Sequence, residues 1–155
     1  MAETLGSLCD KLTIVKLKQW HSNERRRLSS LARQELALQT EINGFVSDAT
    51  EGQIPLAQLK FDSNKVYKKQ ARAARTLSGN IGSLVSRLAE INCALWHQQE
   101  MVYDFARIPA KEKDAVVKRL AILNLDRNRC IEAIDEHFRA MLITVKGKKV
   151  RSLCI

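Results

Sequence analysis

Along most of the chain, apolar residues recur at intervals of three and four, the spacing that gathers them on one face of an α-helix. The first run places Leu8, Leu12 and Val15 behind Thr4, whose hydroxyl suits an N-cap. Helical patterning continues through Trp20 and Arg25-Arg26-Arg27 to Leu31, Leu38, Ile42 and Phe45, with Ser29-Ser30 the only weak point. Residues 1–46 therefore read either as one long helix or as a hairpin that turns at the serines. Residues 47–57 carry Asp48, Gly52 and Pro55 and read as a loop. A short basic helix is predicted over residues 63–76, broken by Ser78-Gly79-Asn80. Asn80 can cap the next helix, predicted over residues 81–107. Pro109 suits the first turn of a last helix, which reaches about residue 142. Gly147 is expected to end regular structure. The reading is an all-α fold, with a single helical-bundle domain over residues 1–145 and a basic, flexible tail over residues 146–155.

The pattern also repeats. At a constant offset of 76 residues the chain matches Gly6 with Gly82, Ser7 with Ser83, Leu8 with Leu84, Leu12 with Leu88, Val15 with Ile91, Trp20 with Trp96, His21 with His97 and Glu24 with Glu100. Both tryptophans of the chain lie in the repeat, each followed by His and, three residues later, by Glu. Fixed-period self-similarity of this kind points to a duplicated supersecondary unit. Two duplicated helical hairpins related by a pseudo-two-fold would pack as a four-helix bundle, with the short basic helix added.

Composition narrows the class. The 155 residues are 45% apolar and 28% charged, enough to build a core without metal or disulfide staples. Cys9, Cys93, Cys130 and Cys154 are too widely spaced for a metal knuckle or redox pair; all are read as reduced, in a cytoplasmic protein. No secretory leader is visible, and no stretch approaches the roughly 20 apolar residues of a membrane span. The net charge of +9 is concentrated. Lys60, Lys65, Lys68, Lys69, Arg72 and Arg75 outweigh Asp62, and Lys146, Lys148, Lys149 and Arg151 meet no acid, so these two segments account for all of it. A local excess of cations serves solubility, or binds nucleic acid, phosphorylated ligands or acidic partners.

Candidate chemistry lies in three places. The His-x-x-Glu pairs, His21 with Glu24 and His97 with Glu100, could in principle ligate zinc or iron across two helices. Di-iron bundles use the reverse order and additional carboxylates, so the expectation is local pairing, with no metal and no cofactor. On the last helix the apolar seam of Val117, Leu120, Ile131, Ile134 and Phe138 is interrupted by Asn124 and Arg127. A buried arginine needs a partner. Arg127 therefore either makes an internal ion pair or offers its bidentate fork to a carboxylate or phosphate ligand, with Asn92, Trp96, Asn124 and Asn128 around it. The basic patch of Lys65, Tyr67, Lys68, Lys69 and Arg72 is the third candidate. No phosphate-binding glycine loop, nucleophile elbow or His-Glu-x-x-His segment is present, and no residue is assigned a catalytic role.

Several segments resemble an uncharacterised bacterial helical family, a domain of unknown function. Asp10-Lys11-Leu12-Thr13-Ile14 followed by Trp20-His21 is similar to its Asp-Arg-Leu-Ser-Ile and aromatic-His segment. Trp96-His97-x-x-Glu100 is similar to its Trp-His segment, Asn124-Leu125-Asp126-Arg127, followed by Ile131 to Asp135, to its Asn-x-Asp-Arg segment, which ends Ile-Asp, and Lys65-Val66-Tyr67-Lys68 to its Lys-Val-Tyr-Lys element. A second, shorter uncharacterised family also opens with an Asp-Lys-Leu-Thr-Ile type of segment. The chain departs from the longer family in the order of its two halves, in Gln99 where an acid is usual, and in Tyr103 where a base is usual. The resemblance implies an all-helical fold and a link to surface-polysaccharide glycosyltransferases, whose genes often neighbour such families.

Three functions follow as expectations. The first is a non-catalytic binding protein of cell-surface glycan assembly, holding a phosphorylated small molecule or a glycosyltransferase partner. Its ligand residues would be drawn from Asp10, Lys11, Trp20, His21, Asn92, Trp96, His97, Glu100, Asn124, Arg127 and Asn128. The second is a nucleic-acid-binding bundle, and the third an enzyme using His and Glu. A homodimer is expected, because bundles with a spare apolar face often pair by a two-fold axis.

Overall fold

The structure, a computed structural model, describes residues 3–60, 77 and 79–152, with side chains to residue 145. Four helices follow one another: α1 Leu5–Trp20, α2 Arg25–Glu51, α3 Ile81–Tyr103 and α4 Ala110–Ser152. Short 3-10 turns stand at Leu56–Leu59 and Phe105–Arg107, and among the described residues there is no strand. The fold is an all-α bundle. The basic helix read over residues 63–76 lies outside the described residues.

Polar contacts fix the helix directions. Lys16 and Gln19 of α1 reach Glu35 of α2 across a short turn. Gly6 and Asp10 of α1 meet Asp135 and Arg127 of α4, in antiparallel order. Asp10 and His21 meet Asn92 and Trp96 of α3, in parallel order. The bundle therefore runs up-down-up-down as two connected hairpins. Its core takes Leu5 from α1, Ala49 from α2, Leu84, Leu88 and Ile91 from α3, and Leu123, Cys130, Ile131, Ile134, Phe138 and Leu142 from α4.

Both predicted caps form. Thr4 Oγ1 accepts from the Ser7 amide at 3.1 Å and Asn80 Oδ1 from the Ser83 amide at 2.9 Å. In each case the serine hydroxyl donates back to the cap carbonyl. Each cap supplies an acceptor that the first turn of a helix lacks. These are matched positions of the repeat, and Leu8 and Leu84, like Val15 and Ile91, are buried alike. The likeness stops further on: Trp20 is 85% exposed whereas Trp96 is half-buried.

Other boundaries differ from the sequence reading, each for a physical reason. The first hairpin turns at residues 21–24 rather than at Ser29-Ser30. Ser22 and Asn23 are residues whose side chains compete with helical hydrogen bonds, while buried Leu31 and half-buried Leu28 carry α2 straight through the serines. Residues 47–51 are helical rather than loop, and the helix ends where Gly52 takes a left-handed φ of 89°. The third helix stops at Tyr103, ahead of the 3-10 turn. α4 runs through Gly147 to Ser152, so regular structure does not end at that glycine; one helical glycine costs only about 1 kcal/mol. Val117 is exposed, and it is Val116 and Leu123 that enter the core.

Candidate functional site

Midway along the bundle, one polar group from each of three helices converges. Arg127 of α4 donates from Nε to Asp10 Oδ1 of α1 at 2.8 Å, and from Nη2 to Asp10 Oδ2. Asn92 of α3 donates from Nδ2 to Asp10 Oδ1 and to Thr13 Oγ1, both at 2.8 Å. Thr13 in turn donates to the Asp10 carbonyl. The Asp10 side chain is 6% exposed and that of Arg127 is 30% exposed. The Asp10 hydrogen bond holds the Arg127 guanidinium above its ordinary pKa, against the opposing effect of burial.

This arrangement is a bidentate, charge-assisted lock between helices. Of the two roles that the sequence leaves open for Arg127, the structure shows the internal ion pair, and the fork that would grip a phosphate is filled by Asp10. Asn124, half-buried, donates to the Leu120 carbonyl of its own helix at 3.1 Å. Asn128 is half-buried on the same helix.

The remaining candidates gather at the end of the bundle where α1 and α3 finish. His21 stacks on Trp96, with ring centroids 4.8 Å apart and planes within 9°, and meets His97 edge-on at 6.1 Å. Trp96 Nε1 donates to Glu100 Oε1 at 2.9 Å. His97 Nδ1 lies 3.8 Å from Glu100, and its Nε2 3.7 Å from Cys93 Sγ. The Glu100 carboxylate thus serves the indole first, and both His97 and Glu100 are exposed. Among the described residues, no group of three or more His, Cys, Asp or Glu could hold a metal ion. Lys11 stands apart, paired with Glu3 at 2.6 Å on the surface. Lys65, Tyr67, Lys68, Lys69 and Arg72 lie outside the described residues. The three described cysteines, Cys9, Cys93 and Cys130, are free thiols. Burial, with the charges of Asp135 and Asp10, pushes Cys9 up to about 11, so it is a poor nucleophile.

Sequence reasoning overlooks the contact of Thr13 with Asn92 and one more. The Gly6 amide, in the first turn of α1, donates to Asp135 Oδ1 of α4 at 2.7 Å. A carboxylate from a distant helix thereby satisfies one of the unpaired amides of a helix start. The sequence marks Asp135 as an aspartate one turn beyond Ile131, at the end of the family-like segment, without saying what it holds. Burial raises the Asp135 pKa, outweighing the Gly6 and Thr4 hydrogen bonds that lower it. A carboxyl with a raised folded pKa contributes stability at low pH that is lost as pH rises through that value. Asp135→Asn keeps an acceptor without the charge. The variant is expected to gain on the parent between pH 4 and pH 7 in urea denaturation. If the parent gains instead, the helix start needs the ionised form.

Comparison with known protein families, curated proteins and solved structures finds no match to this chain. Among the described residues, no helix is long and apolar enough to cross a membrane.

Proposed function

We propose that this chain is a non-catalytic binding protein of cell-surface glycan assembly, and that it engages a glycosyltransferase partner rather than a small phosphorylated ligand. The observation that carries the reading is the occupied fork of Arg127. With that fork filled, Arg127 is not on offer to a phosphate, and the reading places recognition on the surface. An open groove of about 450 Å³ runs there between α1 and α2. Ile14, Val15, Ala37 and Leu38 line it together with Lys11, Lys18 and Gln34. Such a groove suits the apolar face of a partner helix. The glycosyltransferase link rests on the family resemblance.

The test is co-purification of glycosyltransferases from the source cells with the immobilised chain, beside a Leu38→Glu variant. Leu38 is only half-buried, so the variant is expected to keep its fold and lose the captured enzyme. A nucleotide-sugar that raises the melting temperature in the parent and not in Arg127→Ala would contradict the reading and favour a ligand pocket.

A further inference from the structure

The surface around the first turn carries a feature that the groove does not explain. Trp20, the last residue of α1, is 85% exposed, leaving one of the largest apolar side chains in water. Five residues on, Arg25, Arg26 and Arg27 open α2, all exposed. Among the described residues their side chains make no ion pair or hydrogen bond. Lys18 precedes them in the last turn of α1. The adjoining acid does not neutralise the group, since Glu24 is a single charge against three arginines.

Neither element helps the fold. The first turn of α2 holds no acid, and Glu24 makes no side-chain cap. Three cations at a helix start oppose the macrodipole, where anions are favoured. The exposed indole gains nothing from burial. Local choices that run against stability are expected where a surface is used.

The chemistry on offer is specific. The exposed indole supplies a π-face, beside a His21 ring already stacked on Trp96, and the guanidinium forks match phosphate oxygens. Flat aromatic surface beside arginines is the pairing that holds successive bases and phosphates of a single strand. An acidic peptide would use the arginines and leave the indole idle. We infer that the Trp20, His21 and Arg25–Arg27 surface binds single-stranded nucleic acid, through base stacking on Trp20 and phosphate contacts from the three arginines.

The test is fluorescence anisotropy of a labelled uridine oligonucleotide of about 12 nucleotides, within the span such surfaces cover. It uses the full chain, across a range of salt. The variants are Trp20→Ala and the triple Arg25→Gln, Arg26→Gln, Arg27→Gln, with circular dichroism melts to confirm folding. Every position is solvent-exposed, so the melts are expected to match the parent, or to rise slightly once the arginines no longer oppose the helix dipole. Losing one stacked base is expected to weaken binding by about tenfold. Losing three phosphate contacts is expected to flatten the slope of log K against log salt by about 2. Three results would overturn the assignment. One is absence of binding at low salt. Another is binding that survives both variants, which would move the strand to the basic segment of residues 60–76. The third is binding to phosphatidylserine vesicles without binding to the oligonucleotide, which would make the surface a membrane contact.

Discussion

Arg127→Ala is expected to destabilise the bundle by about 3 kcal/mol, near the lower end of the range for breaking a buried pair. The physical cause is the charge left behind. The Asp10 side chain is 6% exposed and would keep Asn92 as its donor, with no cation. At this chain length such a loss lowers the melting temperature by roughly 10 °C. Asp10→Ala is expected to cost less, because the Arg127 side chain, 30% exposed, can turn its guanidinium towards water. Arg127→Lys should recover only part of the loss, since an ammonium cannot bridge both oxygens. Urea denaturation of the three variants checks the order. Equal stability of Arg127→Ala and the parent would mean that the lock contributes nothing.

The second large effect separates two glycines that the sequence repeat treats as equals. A Cβ on Gly6 would lie 2.3 Å from the Ile131 carbonyl oxygen and 3.0 Å from its carbonyl carbon. Those are backbone atoms, so α1 and α4 would have to move apart, stretching the Gly6 bond to Asp135 and loosening the Leu5 and Ile131 packing. Gly6→Ala is expected to cost about 2–3 kcal/mol or more, the scale of overpacking in a tight core. A Cβ on Gly82 meets only Asn80 Oδ1, at 3.5 Å, an ordinary contact. There the usual helical advantage of alanine should act, and Gly82→Ala is expected to be neutral or to stabilise by up to about 1 kcal/mol. Thermal melts of the two variants test this; the same response from both would mean that the close approach of α1 to α4 is wrong.

That contrast shows where the sequence was legible. Caps and apolar stripes are local, and Thr4, Asn80 and the Leu84, Leu88, Ile91 face all read correctly because three-residue and four-residue spacing determines them. The interruption of the α4 seam at Arg127 was also visible, as a charge in an apolar register. Its partner was not. Asp10 lies 117 residues away, and nothing in helical periodicity says which acid on which helix completes the pair. Thr13 and Asp135 were missed for the same reason, since their roles exist only once α1 lies against α3 and α4. Boundaries failed where tertiary packing overrode local preference, as at Ser29-Ser30 inside α2 and at Gly147 inside α4. The matched tryptophans part company: Trp96 holds Glu100 and stacks on His21 while Trp20 points into solvent. The two segments share their caps and the burial of Leu8 with Leu84 and Val15 with Ile91, and differ at their ends.

The function proposed here depends on Arg127 being committed to the fold. A double-mutant cycle at Asp10 and Arg127 measures that commitment. Asp10→Asn, Arg127→Met and the double variant would be compared with the parent by urea denaturation at neutral pH. A pair locked by two hydrogen bonds is expected to show a coupling of about 2 kcal/mol or more, with the double variant more stable than the sum of the single losses. Additive losses, with coupling below about 0.5 kcal/mol, would mean that Arg127 is energetically free of Asp10. The interior would then be open to an anionic ligand after all.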